Sequence, residues 1–261
     1  MLLIAPVPVA SRLLVGAGTD AREIALLRRS GGQPGLFWLG GFRSEMTGAK
    51  ANCLDELGAE RALAVTRFDY SGHGASGGEF TRGTITRWLE EAEAAFALTE
   101  GPQVVVGSSM GGWIALLLAR VLKQRGAGRL AGLVLIAPAV DMTHELMLPG
   151  FTPAQHEDLQ NLGYVDRPSA YGDGPYRITR ALIEDGERHR LFGSVIEPGC
   201  PVVILQGGQD PDVPPAHAVR LTTHLLHDPV TLTIIPDGDH RLSRPEDLER
   251  LRRAVLGLVA A

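Results

Sequence analysis

Strand patterns and helix patterns alternate along almost the whole sequence, and this alternation restricts the fold more than any other feature. Short apolar runs predict strands at 23–30, 35–41, 62–69, 104–106, 130–139, 200–210 and 230–240. The stretches between them predict helices at 50–60, 84–100, 113–123, 216–227 and 244–260. Parallel strands need helical crossovers, so this order predicts an α/β fold with a mostly parallel central sheet and helices on both faces.

The alternation breaks once, at about 141–198. Short helical patterns flank a stretch rich in Pro and Gly at 166–176, and apolar residues of the segment include Met147, Phe151, Leu159, Tyr164, Tyr171 and Tyr176. An apolar, helical insertion between two core strands is typical of a cap over a ligand pocket; a loop region without a role is the alternative. The length suits one domain, so we expect a single domain over 1–261 that carries this cap.

Charge and cysteine content exclude several classes of protein. The net charge of −5 and the absence of a basic run argue against nucleic-acid binding. No apolar run reaches the ~18 residues of a membrane span. Cys53 and Cys200 lie far apart in the sequence, as buried thiols of a reduced intracellular protein do, and a single disulfide is the alternative. The first residues lack a basic region and are interrupted by Pro6 and Pro8, so we expect neither a signal peptide nor a transit peptide. A cytoplasmic protein is expected.

A glycine-rich stretch joins the fourth strand pattern to the helix pattern that follows it. Of the two adjacent serines in this stretch, Ser108 and Ser109, only Ser109 has a glycine two residues before it and two after it, Gly107 and Gly111. A serine on such a sharp strand-to-helix turn projects its hydroxyl, and the helix N-terminus offers N–H groups to developing negative charge. A plain glycine-rich loop is the alternative, so the choice depends on the partners of Ser109.

A nucleophilic serine requires a base, and the base requires an acid that orients it. Among the eight histidines, His240 alone follows a late strand pattern directly and precedes the final helix pattern. Asp210 ends the preceding strand pattern, at the same sheet edge as Ser109, and is the predicted acid; Asp212 and Asp141 are its alternatives. Because turn, strand positions and chain order agree, we predict Ser109 as the nucleophile and His240 as the base.

The oxyanion of an acyl-transfer intermediate requires two backbone donors. One is expected to be the N–H of Met110, the residue after the predicted nucleophile. The other is expected from the loop "GGFRSEM" at 40–46, at the N–H of Phe42. We expect no metal and no cofactor: His224 and His227 are three residues apart but lack further ligands, and no G-x-x-x-x-G-K-[ST] pattern is present.

Several stretches resemble the α/β-hydrolase family: 41–51, 67–78, 101–113, 200–201 and 239–241. They are similar in particular to the branch of mitochondrial hydrolases that remove palmitoyl groups from protein cysteines and cleave acyl glucuronides. The resemblance implies the α/β-hydrolase fold, with Ser109 as nucleophile, Asp210 as acid and His240 as base. Two residues depart from patterns common in the family, because Gly40 and Gln206 each stand where many members have His.

The predicted function is that of a serine hydrolase that cleaves acyl thioesters or carboxylic esters through an acyl-enzyme intermediate. A small-molecule acyl ester or thioester is the expected substrate, and an acylated protein is an alternative. A triad does not specify the leaving group, so a peptidase or amidase of the same fold is a further alternative. A non-catalytic scaffold that binds a ligand would require a broken triad, whereas all three predicted members are present.

Overall fold

The structure is a computed structural model that describes residues 7–168 and 174–260. Ten strands lie in these residues: β1 (Val9–Val15), β2 (Arg22–Arg29), β3 (Gly32–Leu39), β4 (Leu63–Phe68), β5 (Gln103–Ser108), β6 (Leu130–Ile136), β7 (Tyr164–Arg167), β8 (Tyr176–Thr179), β9 (Val202–Gly207) and β10 (Val230–Ile235). Eight of these ten form a sheet in the order β1-β2-β4-β3-β5-β6-β9-β10. β2 pairs antiparallel with β1 and β4, and the remaining pairs are parallel. The predicted fold class is confirmed, although β1 was not predicted.

Helices cover both faces of this sheet. The α-helices of the described residues are α1 (Ala49–Arg61), α2 (Ile85–Ala97), α3 (Met110–Gln124), α4 (Pro153–Asn161), α5 (Arg180–Glu187), α6 (Pro215–Thr222) and α7 (Pro245–Val259). Side chains alternate along β3: Leu36 and Trp38 pack in one apolar cluster with α1 and α7, whereas Phe37 and Leu39 pack in the other with α2, α3 and α6. None of these helices is both long enough and apolar enough to cross a membrane.

The local sequence explains the boundaries of several elements. α2 begins after Thr84, whose hydroxyl oxygen accepts the N–H of Arg87 at 3.2 Å. Its apolar residues at a spacing of four, Trp88 and Phe96 among them, are buried against the sheet. β10 ends at Ile235, five residues before the end of the predicted strand, because the next residue is a proline without an N–H for the ladder.

Between β6 and β9 the chain leaves the sheet and forms what we call the insertion. It contains a π-helix at Thr143–Met147, then α4, the antiparallel hairpin of β7 and β8, and α5. Tyr171, one of its aromatic residues noted in the sequence, lies outside the described residues.

Asp141 connects the start and the end of the insertion through hydrogen bonds. This residue, predicted as an alternative acid, follows β6 and is fully buried. Its carboxylate accepts the backbone N–H of Leu191 at 2.8 Å and that of Phe192 at 2.9 Å, where the chain returns towards the sheet. Burial raises the pKa of this carboxyl group, and the two backbone donors oppose the shift. Asp141 therefore has a structural role in the described residues.

We expect Asp141→Ala to lower the free energy of unfolding by about 2–4 kcal/mol, because two buried N–H groups lose their acceptor. Asp141→Asn keeps one acceptor oxygen and should cost about half as much. Asp158, which is exposed on α4, provides the control: Asp158→Ala should change stability by no more than about 0.5 kcal/mol. Denaturant unfolding measures all three. Equal losses in Asp141→Ala and Asp158→Ala would contradict this role.

Candidate active site

Ser109 lies on the turn between β5 and α3 with φ 54° and ψ −119°, a conformation that side-chain-bearing residues rarely adopt. The flanking glycines allow this turn. A Cβ on Gly107 would lie 2.3 Å from the carbonyl oxygen of Gly111, and a Cβ on Gly111 would lie 2.1 Å from that of Leu39. Neither position can carry a side chain, so the glycine spacing around Ser109 is required by the packing of α3 against β3 and β5.

The structure brings the three predicted side chains together. The Oγ of Ser109 lies 3.1 Å from Nε2 of His240, and Nδ1 of His240 lies 2.8 Å from Oδ2 of Asp210. A carboxylate can only accept, so the proton of the neutral imidazole is on Nδ1. The lone pair on Nε2 therefore faces the hydroxyl of Ser109. This is the arrangement in which a histidine can take a proton from a serine.

Asp210 is buried and held from several sides. Its Oδ1 accepts the backbone N–H groups of Asp212 at 2.9 Å and Val213 at 2.8 Å. Its Oδ2 accepts Nε2 of Gln206 at 3.2 Å in addition to His240. In the sequence, Gln206 is recognisable only as a departure from the family pattern. Its position four residues before Asp210, at the end of β9, was the one available signal of this contact.

The two alternative acids occupy different positions. The carboxylate of Asp141 accepts hydrogen bonds from the backbone of the insertion, whereas Asp212 lines the cavity described below. Asp210, Asp212 and His240 are the group of possible metal ligands in 7–168 and 174–260 whose donor atoms all lie within 4.8 Å of one another. A metal at this position would compete for the His240 nitrogens, which are engaged by Ser109 and Asp210. The expectation that no metal is used stays a prediction.

The predicted oxyanion donors lie on two backbone segments beside Ser109. Met110 is the first residue of α3, and Phe42 lies in the loop after β3. In the described part of the chain, neither backbone N–H has an acceptor. The loop packs tightly on the turn, because a Cβ on Gly41 would lie 3.3 Å from Cβ of Ser109 and 3.2 Å from the carbonyl oxygen of Ser108. Two unpaired donors near a serine hydroxyl are what an oxyanion requires.

A cavity of about 530 Å³ lies beside Ser109 and His240. Its apolar wall comes mainly from the insertion and the residues leading into it, namely Ala139, Met142, Leu146, Met147, Phe151, Tyr176 and Ile178. Three of the apolar residues noted in the sequence line this cavity: Met147, Phe151 and Tyr176. Leu159 is buried in the core instead, and Tyr164 belongs neither to the cavity lining nor to the core. The apolar side of this cavity therefore suits an apolar group, whereas charged residues line other parts of it.

A second cavity of about 540 Å³ shares Arg43, Glu45 and Tyr176 with the first. The guanidinium of Arg43 stacks on the ring of Tyr176, 4.7 Å from its centroid. His73 and the ion pair between Asp166 and Arg177 also line this cavity. The stacked pair joins the loop after β3 to strand β8 of the insertion.

Fold and site together define the class of protein. The sequence matches the Alpha/beta hydrolase family over residues 13–251, and the chain belongs to this family. The chain is 33% identical over 236 residues to the mitochondrial palmitoyl-protein thioesterase ABHD10 of Bos taurus, covering 89% of this chain and 75% of that protein. The resemblance inferred from the sequence is confirmed.

Solved structures agree with this relationship. A putative hydrolase from Agrobacterium vitis S4 has a TM-score of 0.94 and 48% identity, over 97% of this chain and 99% of that chain. The alpha/beta hydrolase domain-containing protein 10 from mouse has a TM-score of 0.85 and 28% identity, over 97% and 98% of the two chains.

The expected location is wrong. The ABHD10 relatives from Bos taurus, Mus musculus and Homo sapiens are all named as mitochondrial proteins, which contradicts the expectation of a cytoplasmic protein. Cys53 and Cys200 are buried and unpaired, as expected. Unpaired cysteines fit any compartment that keeps thiols reduced, so they could not identify the cytoplasm.

His73 is the most strongly shifted histidine near the site. Its ring is 4% exposed and packs edge-on against Phe80 and Trp88, with centroids 5.3 Å and 5.4 Å away. Nδ1 lies 3.1 Å from the carbonyl oxygen of Ser71 and donates to it, while Nε2 has no partner in the described residues. Burial, which disfavours the charged ring, lowers the pKa of His73 to about 4.

This shift predicts a pH dependence of stability. The unfolded chain protonates His73 near pH 6.5, whereas the folded chain resists protonation until about pH 4. The free energy of unfolding should therefore fall by about 3 kcal/mol as the pH is lowered from 6.5 to about 4. Each unit of pKa difference between the two states is worth about 1.4 kcal/mol. We expect His73→Gln to remove this loss of stability at low pH. His156→Gln, at an exposed site on α4, should leave it unchanged. Unfolding curves from pH 4 to 7 measure both, and an unchanged slope in His73→Gln would contradict the assignment.

Proposed function

We propose that the chain is a serine hydrolase that cleaves acyl thioesters or carboxylic esters, with Ser109 as nucleophile, His240 as base and Asp210 as acid. The backbone N–H groups of Phe42 and Met110 form the oxyanion hole in this proposal. The hydrogen-bonded chain from Ser109 through His240 to Asp210, at the wall of a cavity with an apolar side, supports it most strongly.

The reaction begins when Ser109 Oγ attacks the acyl carbonyl carbon and its proton passes to Nε2 of His240. The negative charge then develops on the carbonyl oxygen, where the N–H groups of Phe42 and Met110 stabilise it. Collapse of this intermediate breaks the bond to the thiol or alcohol, which leaves with the proton from His240. A water molecule deprotonated by His240 then attacks the acyl-serine, and the acid is released while Ser109 regains its proton.

The apolar side of the cavity beside Ser109 indicates which kind of acyl group would fit there. Met142, Met147 and Phe151 supply flexible or aromatic apolar surface that suits an alkyl chain. In this proposal residues 1–261 form one domain, and the segment at about 141–198 acts as its cap. The relative named as a palmitoyl-protein thioesterase favours a long acyl chain in thioester linkage.

An amidase or peptidase of the same fold is the alternative. It requires a site for a peptide on both sides of the scissile bond, whereas the apolar wall here favours an alkyl chain on one side. Matched acyl p-nitrophenyl esters and acyl p-nitroanilides with the same acyl group separate the two functions. We expect turnover of the esters to exceed that of the anilides by orders of magnitude.

The nucleophile can be tested with the neighbouring serine as the matched control. Ser109→Ala should reduce kcat for p-nitrophenyl butyrate by up to about 10⁶-fold, to the detection limit, because the attacking group is lost. Ser108→Ala should keep a measurable rate, since only Ser109 faces His240. A fluorophosphonate probe followed by peptide mapping should mark Ser109. Labelling at Ser108, or persistent labelling of Ser109→Ala, would overturn the assignment.

The cap should set the preference for acyl length. Each buried methylene contributes about 0.8 kcal/mol, close to a fourfold gain in kcat/KM per carbon. We therefore expect kcat/KM to rise over the first several carbons of a p-nitrophenyl ester or acyl-CoA series and then to level off. Tyr176→Ala should flatten this rise without abolishing acetyl ester turnover, since Tyr176 lines the cavity but supplies no reacting group.

Tyr164→Ala is the control for this series. Tyr164 lies on the same hairpin but packs against Arg177, with the guanidinium 3.5 Å from its ring centroid, and does not line the cavity beside Ser109. The variant should keep the full rise with chain length. A series that falls from acetyl onward in the unmodified protein would show that the insertion closes the pocket instead of lining it.

A further inference from the structure

The loop after β3 contains a tight turn from Gly41 to Ser44. The backbone N–H of Ser44 donates to the carbonyl oxygen of Gly41 at 3.1 Å, and its side-chain Oγ donates to the same oxygen at 2.8 Å. Arg43, the third residue of the turn, has φ 59°, a conformation that favours glycine. Two hydrogen bonds to one carbonyl therefore hold a turn whose backbone is strained.

The carbonyl of Gly41 belongs to the same peptide unit as the N–H of Phe42. A peptide bond is planar and trans, so its C=O and N–H point in opposite directions. Fixing the direction of the Gly41 oxygen therefore fixes the direction of the Phe42 N–H. This N–H has no acceptor in the described residues, and Phe42 lines the same cavity as Ser109.

The glycines at this peptide provide no side chain that could hold it. Gly41 packs on the Ser109 turn, where an added Cβ would lie within 3.3 Å of Ser109 Cβ. An added Cβ on Gly40 would lie 2.9 Å from the Oγ of Ser44, so that hydroxyl fills the space a side chain at 40 would need. In 7–168 and 174–260, Ser44 is the one side chain that donates to the Gly41 carbonyl.

We propose that Ser44 is a positioning residue for the oxyanion hole: its hydroxyl orients the Gly41–Phe42 peptide so that the Phe42 N–H faces the oxyanion that forms at Ser109. The inference rests on the function proposed above. Ser44 touches no reacting atom, and its effect passes through one rigid peptide unit.

The position of the donor matters only when negative charge is present on the substrate oxygen. Loss of Ser44 should therefore lower kcat and leave KM nearly unchanged, because the neutral ester in the ground state gains little from a well-aimed N–H. Complete loss of one oxyanion donor costs about 10²–10³ in kcat. Ser44→Ala keeps the backbone bond to Gly41, so we expect a smaller fall of about 10- to 30-fold.

The test compares three variants with p-nitrophenyl butyrate. Ser44→Ala should show the fall in kcat, and Ser44→Thr, which keeps the hydroxyl, should recover to within about threefold of the unmodified protein. Thr222→Ala is the matched control, because Thr222 Oγ1 donates to the carbonyl three residues before it at 2.7 Å on α6. It should lose a similar few degrees in Tm as Ser44→Ala, but no kcat.

A trifluoromethyl ketone gives a second readout. Ser109 adds to its carbonyl to form a hemiketal oxyanion, so its inhibition constant should rise in Ser44→Ala by about the same factor as kcat falls. An increase in KM with unchanged kcat, or an equal loss in Ser44→Thr, would overturn the role of Ser44 even if fluorophosphonate still labels Ser109. Absence of labelling and hydrolysis in the unmodified protein would instead overturn the proposed function, and this inference with it.

Discussion

Close contact between backbones at the end of β5 is the constraint on which the rest of the site depends. The first turn of α3 lies directly against β5 and β3, and this approach leaves no room for a Cβ at Gly107 or Gly111. The same contact forces Ser109 into a positive φ, which a serine tolerates only where the surrounding packing determines the backbone. Gly41 continues this contact on the other side of the turn. The hydroxyl, the start of α3 and the loop after β3 are thus held in one rigid arrangement.

The loops that carry the proposed base and acid depend on a similar contact. β9 and β10 are parallel neighbours, so the chain segments after them start at the same edge of the sheet. A Cβ on Gly207 would lie 2.4 Å from the carbonyl oxygen of Asp239, and one on Gly208 would lie 2.7 Å from that of Pro236. The two loops therefore meet backbone to backbone, which brings an imidazole and a carboxylate 30 residues apart in sequence to 2.8 Å. Distance along the chain matters little once the strands are neighbours.

The insertion is attached to the sheet by polar contacts at its ends and by aromatic contacts near the site. Asp141 accepts N–H groups from the returning chain, so the start and end of the insertion share one carboxylate. Tyr176 of β8 contacts both the ring of Phe42, with centroids 5.9 Å apart, and the guanidinium of Arg43. The loop that carries a proposed oxyanion donor is therefore in contact with the segment that lines the proposed acyl pocket. One side chain, Tyr176, therefore contacts both the loop and the cavity.

Periodicity and spacing are local properties, and they determined the fold class, the strand-to-helix turn and the candidates Ser109, Asp210 and His240. The choice of Asp210 over Asp212 and Asp141 needed the additional rule that strands end at one edge, and it stays a prediction about function. The sequence marks Gln206 only as a departure from the family pattern, and nothing local shows that its amide reaches Asp210. Neither the antiparallel β1 nor the hydrogen bonds between Asp141 and the returning end of the insertion were predicted from the sequence. These features come from contacts between residues that the chain brings together only when the sheet is assembled. The sequence alone determined which residues could react; the tertiary structure decided which of them meet, because their separation is set by strand order and backbone packing and not by position along the chain.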